Sequence, residues 1–318
     1  MLAEEDNIFL GIPDILEASI EWGDYDRDGD QDFAIMGESL VYGRITRVYR
    51  NDVDENGARV FNQSPFFFNG VSTGQLKWVD YNKDGWIDLI VSGRNNEDVP
   101  TTTIYENQDG QNFVESIDLS LPNLYKTTMD SADFDNDGDI DFVINGQTAE
   151  GEWKKYIYYR DDLSLVLATN PSDNPYQFSE DGLEGIIQIA DIHNDGDQDI
   201  IGVGNPFSKV NTLIESNNNN NNSNWAYWNW GNFEDVSMTV YGRSMYFMGK
   251  ENSDYKFKSV NLDGQGYSNE ITVQGLAEGD IDVADYNNDG YPDILVVGDS
   301  ENNTETTLLY DGNLDHLI

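Results

Sequence analysis

An all-β fold, a β-propeller of six blades with four antiparallel strands each, is predicted by three features of the 318-residue sequence. A nine-residue acidic pattern recurs five times, strand-like runs recur at fixed places around each copy, and no segment carries a convincing helical period. Internal repetition of this kind decides the architecture before any single element does.

Each unit opens on a short alternating segment, such as Gln75–Val79 or Ile186–Ala190, which reads as a strand with one buried face. The acidic pattern follows over Asp24–Asp32, Asp80–Asp88, Asp133–Asp141, Asp191–Asp199 and Asp285–Asp293, with starts 56, 53, 58 and 94 residues apart. An apolar run then ends in a glycine five residues beyond the last Asp: Gly37, Gly93, Gly146, Gly204 and Gly298. A third run covers Arg47–Asn51, Thr103–Asn107, Tyr156–Arg160, Thr212–Glu215 and Leu308–Asp311, and a fourth, such as Asn112–Ile117, completes the unit. Four short strands in such an interval match the size of a propeller blade, near the ~40–50 residues of better-known repeats.

The 94-residue interval has room for a sixth unit without the acidic spacing. Between residues 233 and 272, Val236, Met238 and Val240 alternate as a first strand, Tyr241–Ser244 makes a tight hairpin, and Met245–Gly249 repeats the apolar run. The chain stops after a third-strand run, while Asn7-Ile8-Phe9-Leu10 reads as an orphan fourth strand. Pairing the two closes a six-blade ring in one domain over residues 1–318 and removes the edges of an open sheet. Seven blades, the alternative, require a further repeat for which there is no space.

Composition narrows the function classes. There are 60 Asp+Glu against 17 Lys+Arg, a formal net charge of -43, no Cys and two His. Such a polyanion repels nucleic acid and anionic lipid. No run approaches the ~20 apolar residues of a membrane helix, so no membrane insertion is expected. Without Cys there are no disulfides and no thiolate-bound metals. No Cys nucleophile, phosphate-cradling loop or Ser-His-Asp constellation stands out, so the expectation is a non-catalytic protein.

The acidic pattern, Asp-x-[Asp/Asn]-x-Asp-Gly-x-x-Asp, has the chemistry of a cation site. Positions 1, 3 and 5 bring side-chain oxygens to one point, Gly at 6 permits a sharp turn, position 7 offers its backbone carbonyl, and position 9 adds a carboxylate. An all-oxygen shell of about six ligands suits Ca²⁺ better than Mg²⁺. The residues so assigned are Asp24, Asp26, Asp28, Asp30 and Asp32; Asp80, Asn82, Asp84, Trp86 and Asp88; and Asp133, Asp135, Asp137, Asp139 and Asp141. The fourth and fifth loops supply Asp191, His193, Asp195, Asp197 and Asp199, and Asp285, Asn287, Asp289, Tyr291 and Asp293. Up to five Ca²⁺ are expected, with the fourth loop weakest because imidazole is a poor Ca²⁺ ligand. An EF-hand is excluded, since its closing Glu at position 12 is replaced by Ile35, Val91, Ile144, Gly202 and Val296. Turn-forming Asp and Gly would serve metal-free surface turns as well. Yet crowding carboxylates five times over costs about 1–4 kcal/mol per close pair, which a cation relieves. Positions 1, 3, 5 and 9 take up 17 of the 60 acids, so five bound Ca²⁺ would bring the formal charge to -33.

With these loops and their flanking strands, the chain resembles the FG-GAP/VCBS repeat family, the calcium-binding β-propellers that include the integrin α-chain head and many exported bacterial proteins. The resemblance covers nearly the whole chain; the lost loop of the fifth repeat and His193 depart from it. It implies that the loop joins the first two strands of a blade and that partners bind mostly on the opposite face. There the loops near 38–44, 94–101, 147–153, 205–208 and 299–304 offer Glu38, Tyr42, Arg44, Arg94, Trp153 and Phe207 as a surface for a protein or glycan. It further implies an extracellular or cell-surface recognition or adhesion module, part of a larger exported protein whose signal peptide this sequence lacks. The alternative is a carbohydrate-binding or polysaccharide-degrading, lyase-like secreted protein. Trp225, Trp228 and Trp230 with Tyr227 pack an outer strand or stack on sugar, Asn217–Asn222 is a low-complexity turn, and Asn62, Asn221 and Asn302 head short glycosylation sequons.

Overall fold

The computed structural model describes residues 3–4, 12–116, 121–134, 136–161, 164–167, 185–191, 196, 198–204, 211–215, 225–228, 233–241, 244–251, 254–261, 268–271, 277–299 and 305–311. These residues form strands and turns with no helix among them, hence none able to cross a membrane. After β1 (Ala3–Glu4) the chain builds a first unit of β2 (Leu16–Gly23), β3 (Asp32–Ser39), β4 (Gly43–Val53) and β5 (Arg59–Gln63). The second holds β6 (Val71–Val79), β7 (Asp88–Asn95), β8 (Pro100–Gln108) and β9 (Asn112–Glu115), and the third β10 (Tyr125–Ala132), β11 (Asp141–Gln147), β12 (Trp153–Asp161) and β13 (Ser164–Leu167). The fourth follows with β14 (Gly185–Ala190), β15 (Asp199–Gly204), β16 (Asn211–Glu215) and β17 (Trp225–Trp228). The fifth is β18 (Phe233–Tyr241), β19 (Ser244–Glu251), β20 (Asp254–Asn261) and β21 (Ser268–Ile271). Last come β22 (Ala277–Ala284), β23 (Asp293–Asp299) and β24 (Glu305–Asp311).

Within each unit the strands pair antiparallel in chain order. Units one and two share a sheet only through the pair Ile45 and Val71. The last unit takes its fourth strand from β1, where Ala3 lies opposite Asp311 and Glu4 opposite Tyr310. The N-terminal segment that pairs is therefore Ala3–Glu4; the expected Asn7–Leu10 lies outside the described residues. In the fifth unit Tyr241 pairs with Ser244, so the first two strands meet without room for a nine-residue loop.

The core lies between units. Along β3, Phe33 and Ile35 pack toward Tyr286, Leu295 and Leu309 of the last unit, while Ala34 and Met36 pack toward Trp78, Leu89 and Val91 of the second. The same division repeats along β7, with Leu89 and Val91 facing one side and Ile90 the other, and along β23. A strand buried on both faces must read as a continuous apolar run, which is why the second run of every repeat lacks alternation.

First strands carry a further device. A register shift interrupts β2 between Leu16 and Ser19, β6 between Ser72 and Gln75, and β10, β18 and β22 at the matching places. This bulge crowds the glycine that ends the second run: a Cβ on Gly93 would lie 2.5 Å from the Ser72 carbonyl oxygen, and one on Gly37 2.8 Å from that of Leu16.

Candidate functional site

The acidic loops share one hydrogen-bonding scheme. In the first, Asp24 Oδ2 accepts from Gly29 N at 3.1 Å, Asp24 Oδ1 from Asp28 N at 3.1 Å, and Asp28 Oδ1 from Asp30 N at 2.9 Å. Asp80, Asp133, Asp191 and Asp285 make the same bond to the glycine amide at 2.8–2.9 Å. Position 4 is left-handed in Arg27, Lys83, Asn136 and Asn288, with φ between 58° and 60°. The backbone thus curls as Asx turns do, and side chains at 1, 3 and 5 converge. Ligand atoms of Asp24, Asp26 and Asp28 lie within 4.8 Å of one another.

The donor set fits a hard cation. Outside the fourth loop, with its His193, it is carboxylate, amide and carbonyl oxygen, and in the second loop Asp80 Oδ1 is buried without a hydrogen-bond partner. Burial raises Asp26 above its ordinary range, with Asp28 adding to the shift, as expected of carboxylates crowded without a counter-charge. At position 7 two side chains are engaged by residues outside their own loops. Asp30 binds Arg59 Nη2 at 2.9 Å, and Asp139 pairs with Lys83, so from this position only the backbone carbonyl is left to face a cation. His193, Asp195 and Asp197 lie outside the described residues, as does Asp135.

Position 9 does more than sequence reasoning gave it. Asp32, Asp88, Asp141 and Asp293 are fully buried. Each accepts from the backbone amide of position 2: Tyr25, Tyr81, Phe134 and Tyr286, at 2.8–3.3 Å. The other oxygen of the first three accepts from a third-strand amide, Asn51, Asn107 or Arg160, at 2.8–2.9 Å. This Asp therefore clasps the loop to the third strand. Burial pushes Asp32 up to about 8 and Asp88 up to about 7, against the lowering effect of these amides.

A second feature was not foreseen. Three residues before each loop, and at the matching place in the fifth unit, the first strands carry Glu21, Lys77, Asp130, Gln188, Thr239 and Asp282. These side chains bond from unit to unit. Glu21 Oε2 accepts from Trp78 N at 2.7 Å, Lys77 Nζ reaches Glu21 at 2.6 Å and Asp130 at 2.9 Å, and Asp130 Oδ2 accepts from Ile189 N at 2.7 Å. Gln188 Nε2 donates to the Met238 carbonyl at 3.4 Å, Thr239 Oγ1 to Asp282 at 3.0 Å, and Asp282 Oδ2 accepts from Trp22 N at 2.8 Å. The sequence of bonds returns to the first unit. All six residues line one cavity of about 490 Å³, together with Gln75, Asp280, Tyr241 and Asn288. Burial pushes Glu21 up to about 7 and Asp282 up to about 6. Burial also opposes the charge of Lys77, but Asp130 and Glu21 outweigh it and hold the ammonium above its ordinary value. A polar residue interrupting an apolar strand at a fixed offset from every loop was the signal that would have found this ring.

Three of the six residues expected to form a surface on the other face, Glu38, Arg44 and Arg94, are engaged with neighbouring side chains. Arg44 binds Asp98 at 3.0 Å and Glu38 at 3.7 Å, and Arg94 binds Asp98 at 3.0 Å and covers the Tyr125 ring at 3.9 Å. Trp153 is half-buried, Tyr42 is exposed beside Leu40 and Val41, and Phe207 lies outside the described residues.

Residues 80–144 match the sequence profile of an FG-GAP-like repeat, a span from the second acidic loop into the strand after the third. No match among curated protein sequences reaches significance. Among solved structures, a fungal lectin of Aleuria aurantia described as a six-bladed β-propeller with a novel fucose recognition mode is 9% identical, with 95% of each chain covered and a TM-score of 0.56. An α-L-arabinanase of Penicillium chrysogenum, solved with arabinobiose, is 12% identical over 95% of each chain with a TM-score of 0.56. At these identities the likeness is one of fold: the chain is an all-β protein with the β-propeller fold of such lectins and glycosidases, carrying an FG-GAP-like repeat.

Proposed function

We propose that the chain is a six-bladed, calcium-stabilised β-propeller that recognises a carbohydrate outside the cell and does not cleave it. Six strand units, the last completed by β1, support the blade count. The FG-GAP-like repeat and the shared geometry of the loops support calcium, which would neutralise the crowded carboxylates when bound.

The observation that carries the ligand class is the cavity between the first strands. Its volume of about 490 Å³ suits a small ligand. Its lining of carboxylates, amides, an ammonium and hydroxyls offers hydrogen bonds to hydroxyl groups rather than an apolar slot. The fucose-binding lectin and the arabinanase, both of the same fold, support a sugar as that ligand. Three acids against one Lys in the ring favour a neutral or amine-bearing sugar over an acidic one. Binding of neutral and acidic glycans on an array, followed by calorimetry with Gln188→Ala, tests this. Loss of binding in the variant supports it, and an array without any hit overturns it in favour of a protein partner.

Glycan cleavage is the second reading, because Glu21, held at about 7, shares the cavity with Asp130 and Asp282 and resembles a proton donor beside carboxylates. Against it, Lys77 and the Trp78 amide occupy both Glu21 oxygens. Sugar release from the bound glycans, abolished by Glu21→Gln, would establish this reading instead.

A further inference from the structure

Among the described residues, three acidic loops each touch the next, and in the same sense. Asn288, at position 4 of the fifth acidic loop, donates to Asp30 Oδ1 at 3.2 Å and to the Gly29 carbonyl at 3.4 Å in the first. Arg27, at position 4 of the first, lies over the ring of Trp86 with 4.7 Å from Cζ to the centroid. Lys83, at position 4 of the second, forms an ion pair with Asp139 of the third. Asp30, Trp86 and Asp139 all stand at position 7. Three successive junctions thus use different chemistry, an amide, a cation over an indole and an ion pair, to join the same two places.

Those places matter to a bound cation. Position 4 lies between positions 3 and 5, two side-chain ligands, and its left-handed φ in every described loop projects the side chain outward. Position 7 supplies the backbone carbonyl. Fixing 3 and 5 in one loop therefore fixes the residue that steadies the carbonyl ligand of the next. We infer that the loops form a coupled series in which calcium in one loop raises the affinity of the next, with Arg27, Lys83 and Asn288 as the coupling residues. The inference rests on the reading of these loops as calcium sites.

Trp86 makes the second loop separately readable, since an indole at position 7 sensitises the luminescence of terbium(III), an ion of calcium-like size, in its own loop. The signal of the protein minus that of Trp86→Phe is titrated with terbium and competed with calcium. Disabling the first loop by Asp28→Asn is expected to weaken the second roughly two- to five-fold, the scale of exposed contacts acting together. In an Arg27→Gly background, where glycine keeps the left-handed turn, that shift is expected to vanish. Lys83→Gly is expected to remove the matching effect of Asp137→Asn in the third loop, which gives an independent junction should the first variants fail to fold. Terbium binding with an unchanged midpoint after both Asp28→Asn and Asp137→Asn overturns the coupling and leaves the calcium sites standing. No binding of either ion by luminescence or calorimetry overturns the calcium reading, and the coupling with it.

Discussion

A single carboxylate can hold a strand or hold a charge, and its surroundings decide which. Lys77 sits between Glu21 and Asp130, each of which also receives a backbone amide from the next unit. Replacing it by Lys77→Met leaves two buried carboxylates without a counter-charge, at a cost of about 3 kcal/mol. Because burial already pushes Glu21 up to about 7, protonation relieves part of that cost. The loss in melting temperature of Lys77→Met is therefore expected to be larger at pH 8 than at pH 5, as read by calorimetry. Asn107 holds strands with no charge at all. Its amide nitrogen donates to the carbonyls of Tyr25 at 2.8 Å and Ile87 at 3.0 Å, tying the third strand of one unit to the loop of the unit before. Asn107→Ala orphans those buried carbonyls and is expected to cost about 2 kcal/mol in a denaturant titration.

At the level of the strand, the bulge and its facing glycine form one device. A bulge bends and twists a first strand, and the second strand yields space by losing its Cβ. Gly93→Ala would place a methyl 2.5 Å from the Ser72 carbonyl oxygen. The expected cost is about 1–3 kcal/mol, the range of overpacking in a close-packed interior, read as a lowered denaturant midpoint. Gly29→Ala meets no neighbour within 4 Å, but φ of 93° strains any side chain there. Both glycines stand at fixed offsets in the repeat, for different reasons: one yields space, the other turns the chain. Aromatic stacking repeats with the strands as well: Trp22 lies on Tyr286 and Trp78 on Tyr25, with centroids 6.0 and 6.3 Å apart.

For the whole molecule, calcium and pH are expected to act on one quantity. Asp32 and Asp88 are raised by burial to about 8 and 7, well above the ~3.9 of an unfolded Asp. Between about pH 4 and pH 8 the folded chain then holds protons that the unfolded chain has released, so stability falls as pH rises through that window. Metal-free protein is expected to melt at a lower temperature at pH 8 than at pH 5. Calcium should stabilise the fold, and so raise the melting temperature, most at pH 8, where the carboxylates are ionised; the stabilisation is about 2.7 kcal/mol per site at a hundredfold excess over Kd. A melting temperature indifferent to chelation at pH 8 would sink the proposal of calcium in these loops.

The sequence by itself determined the strands, their grouping and the loops, because each is a local matter. An alternating or doubly buried strand must carry its pattern in consecutive residues, and a cation loop must gather its oxygens within nine of them. The lost loop of the fifth unit was legible in the same way, from Tyr241 and Ser244. What tertiary structure alone decided lies between strands far apart in the chain, within a unit or across two. The clasp of the position 9 Asp, the ring of Glu21, Lys77, Asp130, Gln188, Thr239 and Asp282, and the contacts from position 4 to position 7 join residues about 20 to 260 positions apart. Their partners are set by which strands pair within a unit and by which units pack side by side. In the loops near 38–44 and 94–101, Arg44 meets Asp98 and Arg94 meets Tyr125 only once adjacent units bring them together, whereas Glu38 pairs with Arg44 and Asp98 with Arg94 inside their own units.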